Sequence, residues 1–349
     1  MNGKKNRQSK RYLLIVMSIL LLAGGAAAAG LDLRNDGDLE VDVRFGSSSE
    51  VWWGDYYFLE AALAFRFPAS EKLECALELE GDRSTVEVGQ LSFEWTQSDY
   101  LKLLFGKAEN ILTLDQFLMP SMQIFAERSL ATRLVDAQGY VSSYVGFKAH
   151  NRLIDDSPFS YLVHLLMIPS QTEPQFDLGL LFHYSGPESY LGFLGCYFPF
   201  VAHDFWVGDN TKTQYHNVLF DFIWANYERR FVYGLELTFG SNLVDPIGLV
   251  QFNESDRSTF FAADLHAGYK IELGSVTWLP ALRCAVLFPD TQVSKVQQIE
   301  LRWGNRLDLL REITLQAEAG LGIDTSYGVD DVLYTRLEML WAVSVLIRL

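Results

Sequence analysis

The sequence predicts an all-β protein, a transmembrane antiparallel β-barrel of about sixteen strands, on three observations. Short segments in which polar and apolar residues alternate repeat along most of the chain. The chain is 49% hydrophobic, yet after residue 29 it has no unbroken apolar run long enough for a transmembrane helix. The longest connections between segments fall on every second junction, as they do in outer-membrane barrels.

The first 29 residues have the pattern of a cleaved signal peptide. Basic residues at positions 4 to 11 precede an apolar core at 13–22, and Ala26–Ala29 supplies small residues for cleavage after Ala29. An uncleaved inner-membrane anchor is the alternative, but the apolar core is short for a span. We therefore expect residues 1–29 to be removed and residues 30–349 to form the barrel of the cell outer membrane.

The charge of the chain argues against one class of partner. There are 28 Lys and Arg residues against 44 Asp and Glu, and removal of the basic leader makes the remaining chain more acidic still. Nucleic acid is therefore not an expected partner. The expected partners are outer-membrane lipid on the outside and small ions or hydrophilic solutes within.

The alternation is clearest in the segment Leu73–Glu80, where Leu73, Cys75, Leu77 and Leu79 alternate with Glu74, Glu78 and Glu80. Segments of this kind give sixteen predicted strands, although the pattern also accommodates fourteen or eighteen. Their ranges are 39–45, 57–67, 73–80, 86–95, 100–106, 140–149, 159–167, 176–184, 190–200, 218–225, 231–239, 260–271, 276–288, 296–303, 313–323 and 332–349.

Three features do not follow the simple pattern. Pro199 and Pro280 lie inside predicted strands, where we expect bulges or barrel rims. The strand 190–200 is apolar on both faces, so its inward face is not assigned from the sequence.

The longest connection that lacks strand alternation is the run 107–138. A compact domain rarely contains so long a connection without a functional reason. If the N-terminus starts in the periplasm, this run is the third external loop. We expect it to fold into the lumen and narrow it.

Two motifs around this run resemble the phosphate-selective porins of the O and P type. The first is Gly106–Lys107 at the end of a strand, and the second is the block Phe125–Leu130, which reads Phe-Ala-Glu-Arg-Ser-Leu. The resemblance implies a sixteen-stranded, trimeric channel with an inward constriction loop. The sequence departs from that family in lacking a Pro-Phe-Gly step after Gly-Lys and in having few Lys and Arg residues.

The predicted site residues lie in the constriction loop and on the lumen wall. In the loop we expect Arg128 and Lys107 to contact solutes, or the pair Glu127–Arg128 only to anchor the loop to wall arginines. The predicted loop residues are Lys107, Asp115, Glu127, Arg128 and Arg133. The predicted wall residues are Glu40, Asp42, Arg44, Glu60, Arg66, Glu74, Glu78, Lys102, Arg302, Arg336 and Glu338.

Acidic residues outnumber basic ones in the inward phase of the strands, which predicts a mild cation preference. The predicted function is therefore a porin, a passive channel for small hydrophilic solutes. A non-conducting barrel that acts as an adhesin is one alternative, with residues 204–209 as its first contact. A barrel hydrolase is a second alternative, although the sequence has no G-x-S-x-G, H-E-x-x-H or Walker motif. No metal or other cofactor is expected.

Overall fold

The residues that the computed structural model describes form seventeen β-strands in one sheet, and a short helix lies in the connection after the fifth strand. The structure describes residues 38–50, 54–81, 86–98, 100–109, 113, 123–137, 140, 143–151, 159–168, 175–185, 190–203, 212–227, 229–242, 258–291, 295–309, 313–327 and 333–348. The first eight strands are β1 Asp38–Glu50, β2 Gly54–Ser70, β3 Leu73–Gly81, β4 Val86–Ser98, β5 Leu101–Glu109, β6 Ser143–His150, β7 Phe159–Ile168 and β8 Gln175–Ser185. The others are β9 Tyr190–His203, β10 Lys212–Asn226, β11 Phe231–Ser241, β12 Thr259–Tyr269, β13 Ile271–Leu273, β14 Val276–Phe288, β15 Gln297–Asp308, β16 Ile313–Tyr327 and β17 Leu333–Arg348. The helix, α1, is Leu130–Ala137.

Strands β12 and β13 are two parts of one barrel strand, interrupted at Lys270. Both pair with β14 in one continuous register, from Gly268 opposite Ala281 to Ile271 opposite Trp278. That register puts Pro280 opposite Tyr269, and proline has no N–H to donate to the ladder. The barrel therefore has sixteen strands, as predicted, and the proline lies opposite the last residue of β12, next to the interruption.

The sheet closes on itself. Each strand pairs antiparallel with the next, and β1 pairs with both β2 and β17; Val41, for example, lies opposite Leu63 on one side and Ile347 on the other. A closed sheet has no free edge, so every strand finds partners for its backbone N–H and C=O groups on both sides. The prediction of a closed antiparallel barrel is confirmed.

The side chains alternate between an exposed apolar face and a buried face. In β11, Val232, Glu236 and Thr238 are buried, whereas Phe231 before them and Phe239 after them are exposed. The exposed face of other strands carries residues such as Phe220, Trp303 and Met339, which are 54%, 57% and 82% exposed. In a closed barrel the exposed face points outward, so the outer surface is apolar and the polar residues point inward.

The strand bounds differ from the prediction mainly at the ends of strands. β1 extends to Glu50, β9 to His203 and β5 to Glu109, because strand pairing continues into segments that the sequence indicates to be loops. Strand β6 begins at Ser143, three residues later than predicted. The predicted signal peptide, residues 1–29, lies outside the described residues.

Among the described residues, no helix has the length and apolar character that a transmembrane helix requires.

Candidate functional site

The longest described part of the run 107–138 is the segment 123–137, which we call the interior segment. Its helix α1 packs four apolar residues, Leu130, Ala131, Leu134 and Val135, into a buried cluster with the inward faces of six strands. Each strand contributes one or two side chains. They are Leu162 from β7, Leu181 from β8, Leu194 from β9, Leu219 from β10, Phe260 and Ala262 from β12, and Ala285 and Leu287 from β14.

This packing explains why the strand 190–200 is apolar on both faces. Phe193 of β9 is 52% exposed on the outside, while Leu194 is 5% exposed and belongs to the cluster around α1. An inward face that meets water would be polar, but this one meets the helix. The even-numbered positions of β9 therefore point inward.

Helix α1 begins at a capping serine. The Ser129 hydroxyl accepts a hydrogen bond from the Thr132 backbone N–H over 3.1 Å, which satisfies one of the N–H groups that a helix start leaves unpaired. The Thr132 hydroxyl donates to that of Thr113 over 2.9 Å, which ties the helix to an earlier part of the same run. Ser129 before an apolar pair spaced four apart, Leu130 and Leu134, is a helix signal that the sequence interpretation missed.

The N-terminal part of the interior segment is bound to the wall by polar contacts at Gln123. The Gln123 carbonyl oxygen accepts from Arg306 over 2.9 Å and from Gln316 over 2.5 Å. Its side-chain oxygen accepts from Arg44 over 2.8 Å. One residue thus connects β1, β15 and β16, and neither Gln123 nor Arg306 was predicted from the sequence.

Two further contacts involve predicted residues. The Glu127 carbonyl oxygen accepts a hydrogen bond from Arg283 over 3.0 Å, while its carboxylate lies 3.8 Å from Arg133. Arg133 also forms an ion pair with Glu300 of β15. The hydrogen bond between Glu127 and Arg283 is therefore made through the Glu127 backbone, and Arg133 joins the segment to the wall.

The Phe125 ring fills a space on the wall beside these contacts. The Arg283 guanidinium lies 4.5 Å from its centre, and the His266 ring meets it edge-on at 6.0 Å. A Cβ atom on Gly304 would lie 2.7 Å from two of its ring carbons, so the glycine makes room for the ring.

Behind the segment, the wall contains a buried group of charges. Arg302 is fully buried and donates to Glu300 over 2.9 Å and to Glu318 over 2.6 Å. The two carboxylates are 2% and 1% exposed. Each charge has an opposite charge at hydrogen-bonding distance, which is the condition under which buried ions are tolerated.

Three predicted loop residues and two predicted wall residues lie elsewhere. Arg128, 34% exposed, lies 3.9 Å from Asp136 of α1. Lys107 lies inside β5, opposite the exposed Leu91 and Val145, and its ammonium group donates to the Val88 carbonyl oxygen. Asp115 lies outside the described residues, and Glu40 and Glu60 lie on β1 and β2.

Gly106 has a conformation that only glycine adopts readily. Its φ is +127°, and a Cβ atom at this position would meet the backbone of Leu91 and Ser92. The glycine of the Gly-Lys motif is therefore required at this position for the backbone of β5.

Five of the remaining predicted wall residues form ion pairs within a strand or between neighbouring strands. Asp42 accepts from Arg44 over 2.7 Å, Lys102 donates to Glu94 over 2.9 Å, and Arg336 lies 3.0 Å from Glu338. Arg66 and Glu74 are exposed, and Glu78 is half-buried.

Histidine–carboxylate pairs also occur on the inward face. His164 lies 3.1 Å from Asp177, and their side chains are 1% and 0% exposed. Across the described parts of the chain, no group of three or more His, Cys, Asp or Glu residues is arranged to hold a metal ion.

Neither a protein-family profile nor a curated protein sequence matches the chain. Its fold is similar to solved outer-membrane barrels. The trimer form of OmpT, an outer membrane protein of Vibrio cholerae, is 12% identical with a TM-score of 0.56, and the match covers 90% of this chain and 98% of that one. The anion-selective porin of Comamonas acidovorans is 11% identical with a TM-score of 0.57, over 89% and 97%. The outer membrane channel DcaP of Acinetobacter baumannii is 8% identical with a TM-score of 0.54, over 90% and 96%. At these identities the similarity shows a porin-like barrel fold.

Proposed function

We propose that this protein is an outer-membrane porin, a passive diffusion channel for small hydrophilic solutes and ions. The observation that carries the proposal is the division of a closed sixteen-stranded barrel into an apolar outer face and a charged inner face. Such a barrel is compatible with hydrocarbon outside and water inside. The fold similarity to an anion-selective porin and to the channel DcaP supports it.

The interior segment acts as the constriction. Its contacts reach the inward faces of strands from β1 to β16, so it narrows the lumen on the side where it packs. The segment sets the size cutoff, and wall charges set a mild cation preference. Transport needs no catalytic step, and the protein is not an enzyme.

Assembly and targeting follow the same proposal. The chain is exported by the signal peptide 1–29 and forms a homotrimer in the outer membrane. The trimer form of OmpT and the Gly106–Lys107 and Phe125–Leu130 motifs support this assembly and a relation to the phosphate-selective O and P type.

Extraction and bilayer recording test the proposal together. The full chain is expressed with its signal peptide, extracted from outer membranes with detergent and added to a planar bilayer. We expect stepwise increases in conductance. In a salt gradient, we expect a reversal potential whose sign indicates a preference for cations. Protein that stays soluble without detergent, or a folded barrel without conductance, overturns the proposal and favours the adhesin or hydrolase alternative.

A further inference from the structure

We propose that His266 is a pH-sensitive positioning residue for the interior segment: when its ring gains a second proton, Arg283 is displaced and the segment loosens. This proposal rests on the proposed channel function. It adds a regulation of the same site, because it makes the width of the lumen depend on pH.

A chain of contacts joins His266 to the interior segment. The His266 Nδ1 atom lies 3.3 Å from Oδ1 of Asp264, and Oδ2 of the same carboxylate lies 3.8 Å from Nε of Arg283. Arg283 in turn donates to the Glu127 carbonyl oxygen over 3.0 Å, and its guanidinium lies 4.5 Å from the centre of the Phe125 ring. The histidine therefore acts on the segment through one carboxylate and one arginine.

The two neighbours of the His266 ring fix the place of its hydrogen when the ring is neutral. A carboxylate only accepts hydrogen bonds, so Nδ1 carries the hydrogen and donates to Asp264. The other nitrogen, Nε2, lies 2.7 Å from the Tyr227 hydroxyl and accepts from it. A second proton enters at Nε2, where it takes away the acceptor of this hydroxyl and makes the ring a cation.

The new charge would lie beside an existing one. His266 of β12 is directly opposite Arg283 of β14 in the register, and such residues have Cβ atoms about 5 Å apart. The two residues are 6% and 2% exposed, so salt and water screen the repulsion between their charges only weakly. The carboxylate of Asp264 would then lie between two cations.

Other ionisable groups surround this pair. Glu236 of β11 lies opposite the shared carboxylate in the register, and Lys270, which follows β12, donates to the carbonyl oxygen of Tyr227. On the interior segment, the Glu127 carboxylate lies 3.8 Å from Arg133. These groups stay in place when the ring becomes charged, so the new repulsion acts on the arginine opposite the ring.

Arg283 has fewer partners than another buried arginine of the wall. Its Nε and Nη2 atoms have no hydrogen-bond partner among the described residues, and its ion pair with Asp264 is 3.8 Å long. Arg302, by contrast, donates to two carboxylates over 2.9 and 2.6 Å. A buried cation with so few partners is displaced more readily when a second cation appears beside it.

The test records single channels of the full-length protein in planar bilayers at about pH 8 and about pH 5, the range in which histidine ordinarily changes its charge. In the wild type at the lower pH, we expect larger polyethylene glycols to enter the pore. We also expect open-channel current fluctuations to become about tenfold more frequent or more, because two unit charges about 5 Å apart in a protein interior repel each other on this scale.

Three variants separate a positioning role from a merely structural one. In His266→Asn the amide keeps a donor near the position of Nδ1 but does not titrate, so the pore should be the same at both pH values. Arg283→Gln should have the wide, noisy pore at both pH values, whereas Arg283→Lys keeps the charge and should keep part of the pH dependence. If His266→Asn does not fold, His266→Gln takes its place.

His164→Asn is the matched control. Its ring also lies 3.1 Å from a carboxylate, that of Asp177, and a Cβ atom on Gly179 would meet it, as a Cβ atom on Gly234 would meet the His266 ring. His164 belongs to β7, however, which is not a neighbour of β14.

The outcomes separate the proposal from the function on which it rests. A pore that widens at low pH in the wild type and in His164→Asn, but not in His266→Asn, supports the proposal. A conducting wild type with the same pore at both pH values, or a His266→Asn variant that responds as the wild type does, overturns the proposal and leaves the channel function intact. A wild type that folds and inserts without conducting overturns the channel function and the proposal with it.

Discussion

Two regions of the barrel interior obey the same alternation and have opposite character. The inward face of the β3–β4 hairpin carries Glu74, Glu78 and Glu94, whereas the inward faces of β7 to β10 carry leucines such as Leu162 and Leu219. The difference is what covers each face: α1 covers the second region, while in the first Glu74 is exposed and Glu78 and Glu94 are half-buried. The leucines of β7 to β10 therefore mark the part of the inner wall against which α1 packs.

Breaking the buried charge group that supports the covered region should have the largest effect. In Arg302→Met, Glu300 and Glu318 lose a partner while staying buried, which should destabilise the barrel by about 3–5 kcal/mol. Denaturant unfolding of the barrel in detergent micelles measures the change. If Arg302→Met does not fold, Arg302→Lys gives a smaller loss that can be measured.

The control for this prediction is an exposed ion pair. Arg230 and Glu272 lie 4.0 Å apart and are 70% and 69% exposed, so Arg230→Met should change stability by less than about 1 kcal/mol. Equal losses in Arg302→Met and Arg230→Met would contradict the assignment of the buried group as a support of the wall.

Removing apolar packing between α1 and the wall should release the interior segment. Leu134 is fully buried, and Leu134→Ala should weaken the attachment of α1 by about 2–5 kcal/mol. We expect faster protease cleavage within the segment and larger, noisier single-channel conductance. Leu337→Ala is the control, because Leu337 is 67% exposed on the outer face; the same change in conductance there would refute the role of the packing.

The substitution Gly304→Ala tests how the Phe125 ring packs against the wall. The added Cβ would lie 2.7 Å from ring carbons of Phe125, so Gly304→Ala should cost about 1–3 kcal/mol through forced movement of the ring. Phe125→Leu in the same chain should recover part of the loss, as a double-mutant cycle of unfolding free energies would reveal. In the control Gly322→Ala the nearest atom is the side-chain Cδ1 of Leu340 at 3.2 Å, and a smaller loss is expected.

The smallest effect on stability is expected at Arg128. Its pair with Asp136 is 3.9 Å long and partly exposed, so Arg128→Gln should change the unfolding free energy by less than about 1 kcal/mol. If Arg128 contacts solutes, the conductance should nevertheless change. An altered stability with an unchanged conductance would assign Arg128 to anchoring alone.

The alternation along the chain was sufficient to predict the barrel, because each strand has one apolar outer face regardless of what lies inside. The inward faces were harder to predict, since β9 is apolar there only because Leu194 meets α1. The position of Pro280 next to the interruption between β12 and β13 depends on the register with β12, which the sequence of one strand does not reveal.

The candidate site was predicted only in part, because some of its contacts do not depend on residue type. Glu127 and Arg133 were identified from their motif and their place in the long run, and both contact wall residues or each other. Gln123 was missed because its bonds to Arg306 and Gln316 are made by a backbone oxygen, which every residue type offers. Lys107 was assigned to the loop because the alternation of polar and apolar residues ends before it. Strand β5 continues beyond the alternating residues to Glu109.

Exclusion of neutral polymers from the pore is the most direct test of the central claim, that the interior segment narrows a water-filled barrel. Polyethylene glycols of increasing size are added while single-channel conductance is recorded for the wild type and for the variant Arg133→Met, Leu134→Ala. The account predicts that the wild type admits only the smallest polymers and that the variant admits larger ones. Equal size cutoffs in the two proteins, with both barrels folded and conducting, would contradict it.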